Sequence, residues 1–148
     1  MSNSTAGAYA GDASAAQTYK ALEEDATATL VDVRTQAEWN YVGIPDLSPL
    51  GRDALFVEWQ TYPTGAANPD FVATLTGLVE ERGATKDGPI YFLCRSGVRS
   101  RAAAIAMTAA GFGACYNVIG GFEGSPDTDR HRGSLEGWKY EGLPWRQS

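Results

Sequence analysis

The chain is 148 residues long, the ordinary size of one domain. Its 43 % apolar content, with 11 % aromatics, suffices for a buried core and excludes disorder as a description of the whole. A net charge of −6 makes general binding to nucleic acid or to an anionic membrane a poor fit. Two cysteines, Cys94 and Cys115, without a C-x-x-C pair argue against a disulfide-stapled fold and a thiolate zinc site, and a single histidine, His131, removes histidine-cluster metal sites.

Residues 1–12 read as a small, polar, flexible arm with a short edge strand at 8–10, and residues 13–148 as the domain. Residues 1–16 lack the basic and apolar regions of a secretory signal, and no apolar stretch is long enough to cross a membrane. With both cysteines read as unpaired, a soluble, cytoplasmic protein is expected. Ser14 and Gln17 make an S-x-x-Q capping box that opens a helix carrying Ala15, Tyr19 and Leu22 on its apolar face. Leu30–Val33 is β-branched and apolar, a buried strand. Thr35 and Glu38 form a second capping box, starting a short helix to about Tyr41. Pro45, Pro49 and Gly51 mark 43–53 as loop, and Ala54–Trp59 reads as a strand.

Asn68-Pro69 reads as an N-cap with proline at the first helical position, and the helix runs to about Arg82 before Gly83. Pro89–Cys94 is the clearest strand. A polar turn at 95–100 leads into an Ala-rich helix from Val98 or Arg99 to Ala110, stopped by Gly111. Cys115–Ile119 is the last strand, closed by Gly120-Gly121. Residues 123–137 read as charged loop, with a short helix expected at 134–141. Strands alternate with helices, so the expected class is α/β, with a central, mostly parallel sheet of about five strands and helices on both faces.

One segment carries chemistry: Cys94-Arg95-Ser96-Gly97-Val98-Arg99-Ser100-Arg101. It follows a buried strand and opens a helix, and ligands of open parallel sheets bind at the carboxyl ends of strands. The turn offers free backbone N–H groups at the positive end of a helix, an anion site. Gly97 permits a tight turn. Three of the nine arginines fall within these residues of an otherwise acidic chain. A cysteine in such a cradle is favoured as a thiolate nucleophile.

The segment resembles the C-R-x-G-x-R loop of rhodanese-like sulfurtransferases. Three further stretches match in order: Leu30–Arg34 followed by Thr35, Glu38 and Trp39; Gly111-Phe112 through Gly120-Gly121; and Gly142-Leu143-Pro144-Trp145. The resemblance implies a single rhodanese-like domain in which Cys94 carries a persulfide. Arg95, Ser96, Gly97, Val98, Arg99 and Ser100 would bind the substrate. The implied reaction moves a sulfane sulfur from a small anionic donor such as thiosulfate to cyanide or a thiol. It needs no metal or organic cofactor, and a protein acceptor is conceivable. Arg95 directly after the cysteine suits thiosulfate. Two alternatives stand beside it. One is a phosphatase of the same fold, whose C-x5-R loop places an arginine six residues after the cysteine, where this chain has Ser100. The other is a non-catalytic persulfide or redox-sensing module.

Outside the loop, Cys115 is expected to be core packing and His131, in Asp127–Arg132, a solvated loop residue. Asp32 is expected to anchor the active-site loop and Arg34 to pair with a carboxylate. Trp39, Phe56, Trp59, Phe71, Trp138 and Trp145 are expected in the core or as a lid, one or two of them at the pocket wall.

Overall fold

Two capping boxes begin the first two helices. In helix α1 (Ala15–Glu24) the Ser14 hydroxyl accepts from the Gln17 N–H, and the Gln17 side chain accepts from the Ser14 N–H. In α2 (Gln36–Tyr41), Thr35 and Glu38 make the same reciprocal pair. Each box satisfies two N-terminal donors that have no partner within their own helix. The computed structural model describes residues 8–61 and 64–147.

Seven strands are present among the described residues: β1 (Gly11–Ala13), β2 (Thr29–Asp32), β3 (Ile44–Pro45), β4 (Leu55–Phe56), β5 (Ile90–Leu93), β6 (Cys115–Val118) and β7 (Trp145–Arg146). Five form the central sheet in the order β1-β6-β5-β2-β4, every pair parallel. The other two, β3 and β7, pair antiparallel beside it. Helices α3 (Phe71–Glu81) and α4 (Val98–Ala109) cover one face. That face buries Val31, Phe92, Phe71, Leu75, Ala103 and Met107 in one cluster. The opposite face buries Leu30, Leu93, Leu22, Phe122 and Trp138 under α1 and the chain after β6. Adjacent residues of one strand fall on opposite faces, as the period of two requires. The expected α/β class and sheet are what the chain forms.

Several boundaries differ from the sequence reading. The edge strand forms at Gly11–Ala13 rather than 8–10, because the Ala10 N–H already bonds the Cys115 carbonyl and β6 sets the register. The last two residues of the supposed arm are therefore in the sheet, and residues 1–7 lie outside the described ones. The strand expected at Ala54–Trp59 pairs only at Leu55–Phe56. Helix α3 takes Asp70 as N-cap, two residues late, because Asn68 spends its amide on the Glu58 carbonyl and the Asp70 N–H. No helix forms at 134–141. There the Trp138 and Lys139 N–H groups bond the Gly121 and Phe122 carbonyls instead of a preceding turn, and Gly137 holds a φ of +106°. Strand β7 had no signal beyond the G-L-P turn that precedes it.

Candidate active site

Asp32, Leu93 and Val118 end three neighbouring parallel strands on one edge of the sheet. Cys94 follows β5 there and is 1 % exposed. The loop turns back at Gly97, whose φ of +120° favours glycine. This turn brings the Gly97 N–H within 3.1 Å of the Cys94 Sγ. The first turn of α4 brings the Ser100 hydroxyl within 3.2 Å of the same sulfur. Ser100 is fully buried and its hydroxyl donates to Asn117 Oδ1 on β6 at 2.6 Å. The sulfur thus meets a backbone donor at a helix start and a hydroxyl that can give or take a proton.

The segment after β6 holds the loop from behind. The Phe122 N–H donates to the Cys94 carbonyl, and the Glu123 and Gly124 N–H groups to that of Arg95. Gly121 approaches so closely that a Cβ there would overlap the Cys94 carbonyl oxygen and stand 2.6 Å from the Arg95 carbonyl carbon. This close approach is the physical content of the Gly120-Gly121 pair. Below it lies the Asp32–Arg34 pair, wholly buried, with the Arg34 guanidinium on the Asp32 carboxylate at 2.7 Å and 4.2 Å above the Phe122 ring. Arg34 also donates to the Gly43 carbonyl. Arg34 has the carboxylate partner expected of it. The Asp32 carboxylate accepts only from the Arg34 N–H and guanidinium among the described residues, so it does not anchor the 94–100 loop by hydrogen bonds as expected.

Arg99 lies along a cleft of about 510 Å³ whose lining includes Glu38, Arg95, Arg99, Gln60 and Glu123. Its guanidinium meets the Glu38 carboxylate in parallel, at 2.7 and 2.9 Å. Burial alone would raise the Glu38 carboxyl, but the Arg99 hydrogen bonds, backed by Thr35, hold it down to about 2. Those same bonds raise Arg99 above the ordinary guanidinium value. Arg95 is exposed at the mouth and forms no ion pair among the described residues. Val98 is 79 % exposed. Ser96 is partly buried. The arginine cluster divides: Arg95 and Arg99 line the cleft, whereas Arg101 lies over the Tyr9 ring.

Sequence reasoning missed three residues here. Glu38 was read only as a cap, although a carboxylate at the strand-helix junction of a known motif was the available signal. Asn117 is a lone amide in a buried strand, a signal that was present. Glu123 had none. No aromatic side chain is among the described residues lining the cleft. Cys115 pairs in register with Ile90, four residues before Cys94, about 13 Å away along the strand and too far for a disulfide. Burial pushes its thiol up to about 11. His131 is exposed, its N–H bonded to Asp127.

A parallel sheet with a cysteine loop at its carboxyl edge is the rhodanese-like fold. A rhodanese-like domain from Anabaena superposes with a TM-score of 0.61, at 19 % identity over 93 % of this chain and 79 % of that one. Residues 10–148 match the family described as STR4 middle domain, and the chain belongs to that family. It is similar to Rv0390 from M. tuberculosis, with 48 % identity, a TM-score of 0.84 and coverage of 95 % of this chain and all of that one. It is also 38 % identical over 128 residues to the uncharacterized protein RC0915 of Rickettsia conorii, spanning 86 % of this chain and 90 % of the other.

Proposed function

We propose that the chain is a sulfurtransferase that carries sulfane sulfur on Cys94, with thiosulfate as donor and cyanide or a small thiol as acceptor. One observation carries the reading: the Cys94 Sγ lies 3.1 Å from the Gly97 N–H and 3.2 Å from the Ser100 hydroxyl, at the start of a helix and beside Arg99. The Gly97 N–H and the helix start aim fixed dipoles at this sulfur and favour the anionic forms that the cycle passes through.

In the first half-reaction the thiolate attacks the outer sulfur of thiosulfate. The donor's S–S bond breaks and sulfite leaves with the bonding pair. In the second, cyanide attacks the outer sulfur of the persulfide, the new S–S bond breaks, and thiocyanate leaves Cys94 as the thiolate. Arg95 meets the oxyanion at the mouth. Arg99, whose Nε–H is not used by Glu38, supplies the second charge. Nothing in these steps calls for a metal, a nucleic acid or a membrane. No helix among the described residues is long and apolar enough to cross a membrane.

A specific observation weighs against a phosphatase. The position six residues after Cys94 holds Ser100, which is fully buried and bonded to Asn117, where that chemistry needs an arginine facing the phosphate. The deciding experiment is intact mass after incubation with thiosulfate, alongside thiosulfate:cyanide and aryl-phosphate turnover. Gain of one sulfur by the native protein and none by Cys94→Ala is the expected result. Aryl-phosphate hydrolysis with no sulfur gain would reverse the assignment. Sulfur gain without turnover would leave a persulfide-sensing module.

A further inference from the structure

Asn117 is 4 % exposed and has no part in the mechanism above. Its Oδ1 accepts the Ser100 hydrogen bond, while its Nδ2 donates to no protein group among the described residues and is not wholly enclosed. A Cβ built on Gly97 would stand 3.8 Å from that Nδ2, so the amide lies directly behind the loop.

A serine hydroxyl has one proton. While that proton points at Asn117 Oδ1, Ser100 can meet Sγ only as an acceptor. The 3.2 Å contact is then S–H···O, which suits the thiol. A thiolate, or the inner sulfur of a persulfide, has no proton and needs a donor. Ser100 must then turn its proton to Sγ, and its oxygen must be served from the other side. A half-turn of the Asn117 carboxamide does this, exchanging Oδ1 for the unpartnered Nδ2 in almost the same space.

We propose that Asn117 is a positioning residue for Cys94: its carboxamide sets the direction of the Ser100 hydroxyl, and so decides whether the loop favours the protonated or the proton-free sulfur. The inference rests on Cys94 being the reacting sulfur. On ionisation the Sγ proton leaves to water. The Ser100 and Asn117 protons only reorient, and no electrons move. The charged groups around this sulfur are Arg95 on the loop, Arg99 with Glu38 of α2, the Asp32–Arg34 pair closing β2, and Glu123 after β6. All of them are retained in the variants below.

The test is an NMR titration of the wild-type protein labelled with ¹³C at cysteine Cβ and ¹⁵N at asparagine. The Cys94 Cβ shift reports ionisation, and the Asn117 amide reports whether Nδ2 donates. Both signals are expected to move with one midpoint, the amide toward a hydrogen-bonded shift on the alkaline side. In Cys94→Ser the amide transition is expected to vanish. An amide that stays unchanged while Cys94 ionises overturns the proposal.

Asn117→Asp can only accept, and is expected to raise the Cys94 midpoint by about one to two pH units. Its added charge accounts for part of that, so the substitution is repeated on Ser100→Ala. A clearly smaller shift there is expected, because the route through Ser100 is gone. Equal shifts would reduce Asn117→Asp to a through-space charge and overturn the proposal. If a variant fails to fold, the wild-type titration decides alone. Coupled titration in a protein that takes no sulfur would sink the sulfurtransferase reading and leave this one standing. Persulfide formation with an indifferent Asn117 does the reverse.

Discussion

In the proposed cycle one side chain, Arg99, serves two anions in turn. Its pairing with Glu38 fixes the guanidinium along the cleft, and under the proposed function the donor would compete for the charge left over. Arg99→Ala is expected to lower kcat/KM for thiosulfate about ten- to a hundred-fold while leaving the cyanide step less affected, since one charge-assisted contact to an anion is lost. Steady-state kinetics with each substrate varied in turn would check this, and equal loss in both steps would mean that Arg99 acts by holding the loop. Cys115 is the opposite case. It is buried against the core, opposite Ile90, so Cys115→Ser is expected to keep turnover near wild type, though with a lower melting temperature. A loss of turnover with persulfide still forming would make it a resolving thiol. At this scale the sequence was legible wherever a residue's neighbours were local. Cys94, Gly97 and Ser100 lie within seven consecutive residues. Glu38 reaches Arg99 across 61 positions, and no spacing rule could pair them.

Among the elements, α2 is short and depends on its first turn. Glu38 is both the box residue of that turn and the partner of Arg99 in the first turn of α4. Because the carboxyl is held at about 2 against an ordinary 4.5, the ionised form adds its stability in full above about pH 4.5, and that share is lost as the pH falls toward 2. Glu38→Gln keeps an acceptor for the Thr35 N–H but removes the charge. It is expected to melt lower than wild type at neutral pH, with the gap closing as pH is lowered to about 2. Thermal melts across that range would show it, and a constant gap would assign the loss to packing instead. The chain after β6 is an element of another kind, a backbone strut. Gly121→Ala is expected to lower stability markedly and to displace the Cys94 loop, because the added carbon meets backbone that cannot move aside. Amide shifts at residues 94–97 together with a melt would test it. The capping boxes were readable because they are closed within four residues. The non-helical 134–141 segment was not, because its Trp138 and Lys139 N–H groups are claimed by carbonyls that come near only in the folded chain.

For the molecule as a whole, the two faces of the sheet are closed differently. One is roofed by α3 and α4. The other is closed in large part by Trp138, which is fully buried, bonds the Pro144 carbonyl through its indole N–H and meets Tyr19 edge-on at 5.8 Å. Trp138→Ala is expected to cost roughly 3–5 kcal/mol, the range for deleting a large buried aromatic, and chemical denaturation would measure it. A value under about 1 kcal/mol would mean that the segment collapses to refill the space. The alternation of strands and helices made the parallel sheet predictable, since that topology follows from connection lengths alone. The β3–β7 pair escaped because each partner is two residues long and Pro45 disguises one of them as loop.

The burial of Cys94 has a consequence for the kinds of molecule it can meet. Cys94 is a residue only 1 % exposed, so a reagent's width is expected to count before its reactivity does. An end-on S–SO₃ group presents a single narrow atom to its sulfur. An aryl disulfide of equal or greater electrophilicity carries its ring abreast of the reacting sulfur and is expected to react with Cys94 more slowly. The common colour reagents for free thiols are expected to undercount Cys94 in the native state, and a slim sulfur compound to reach it.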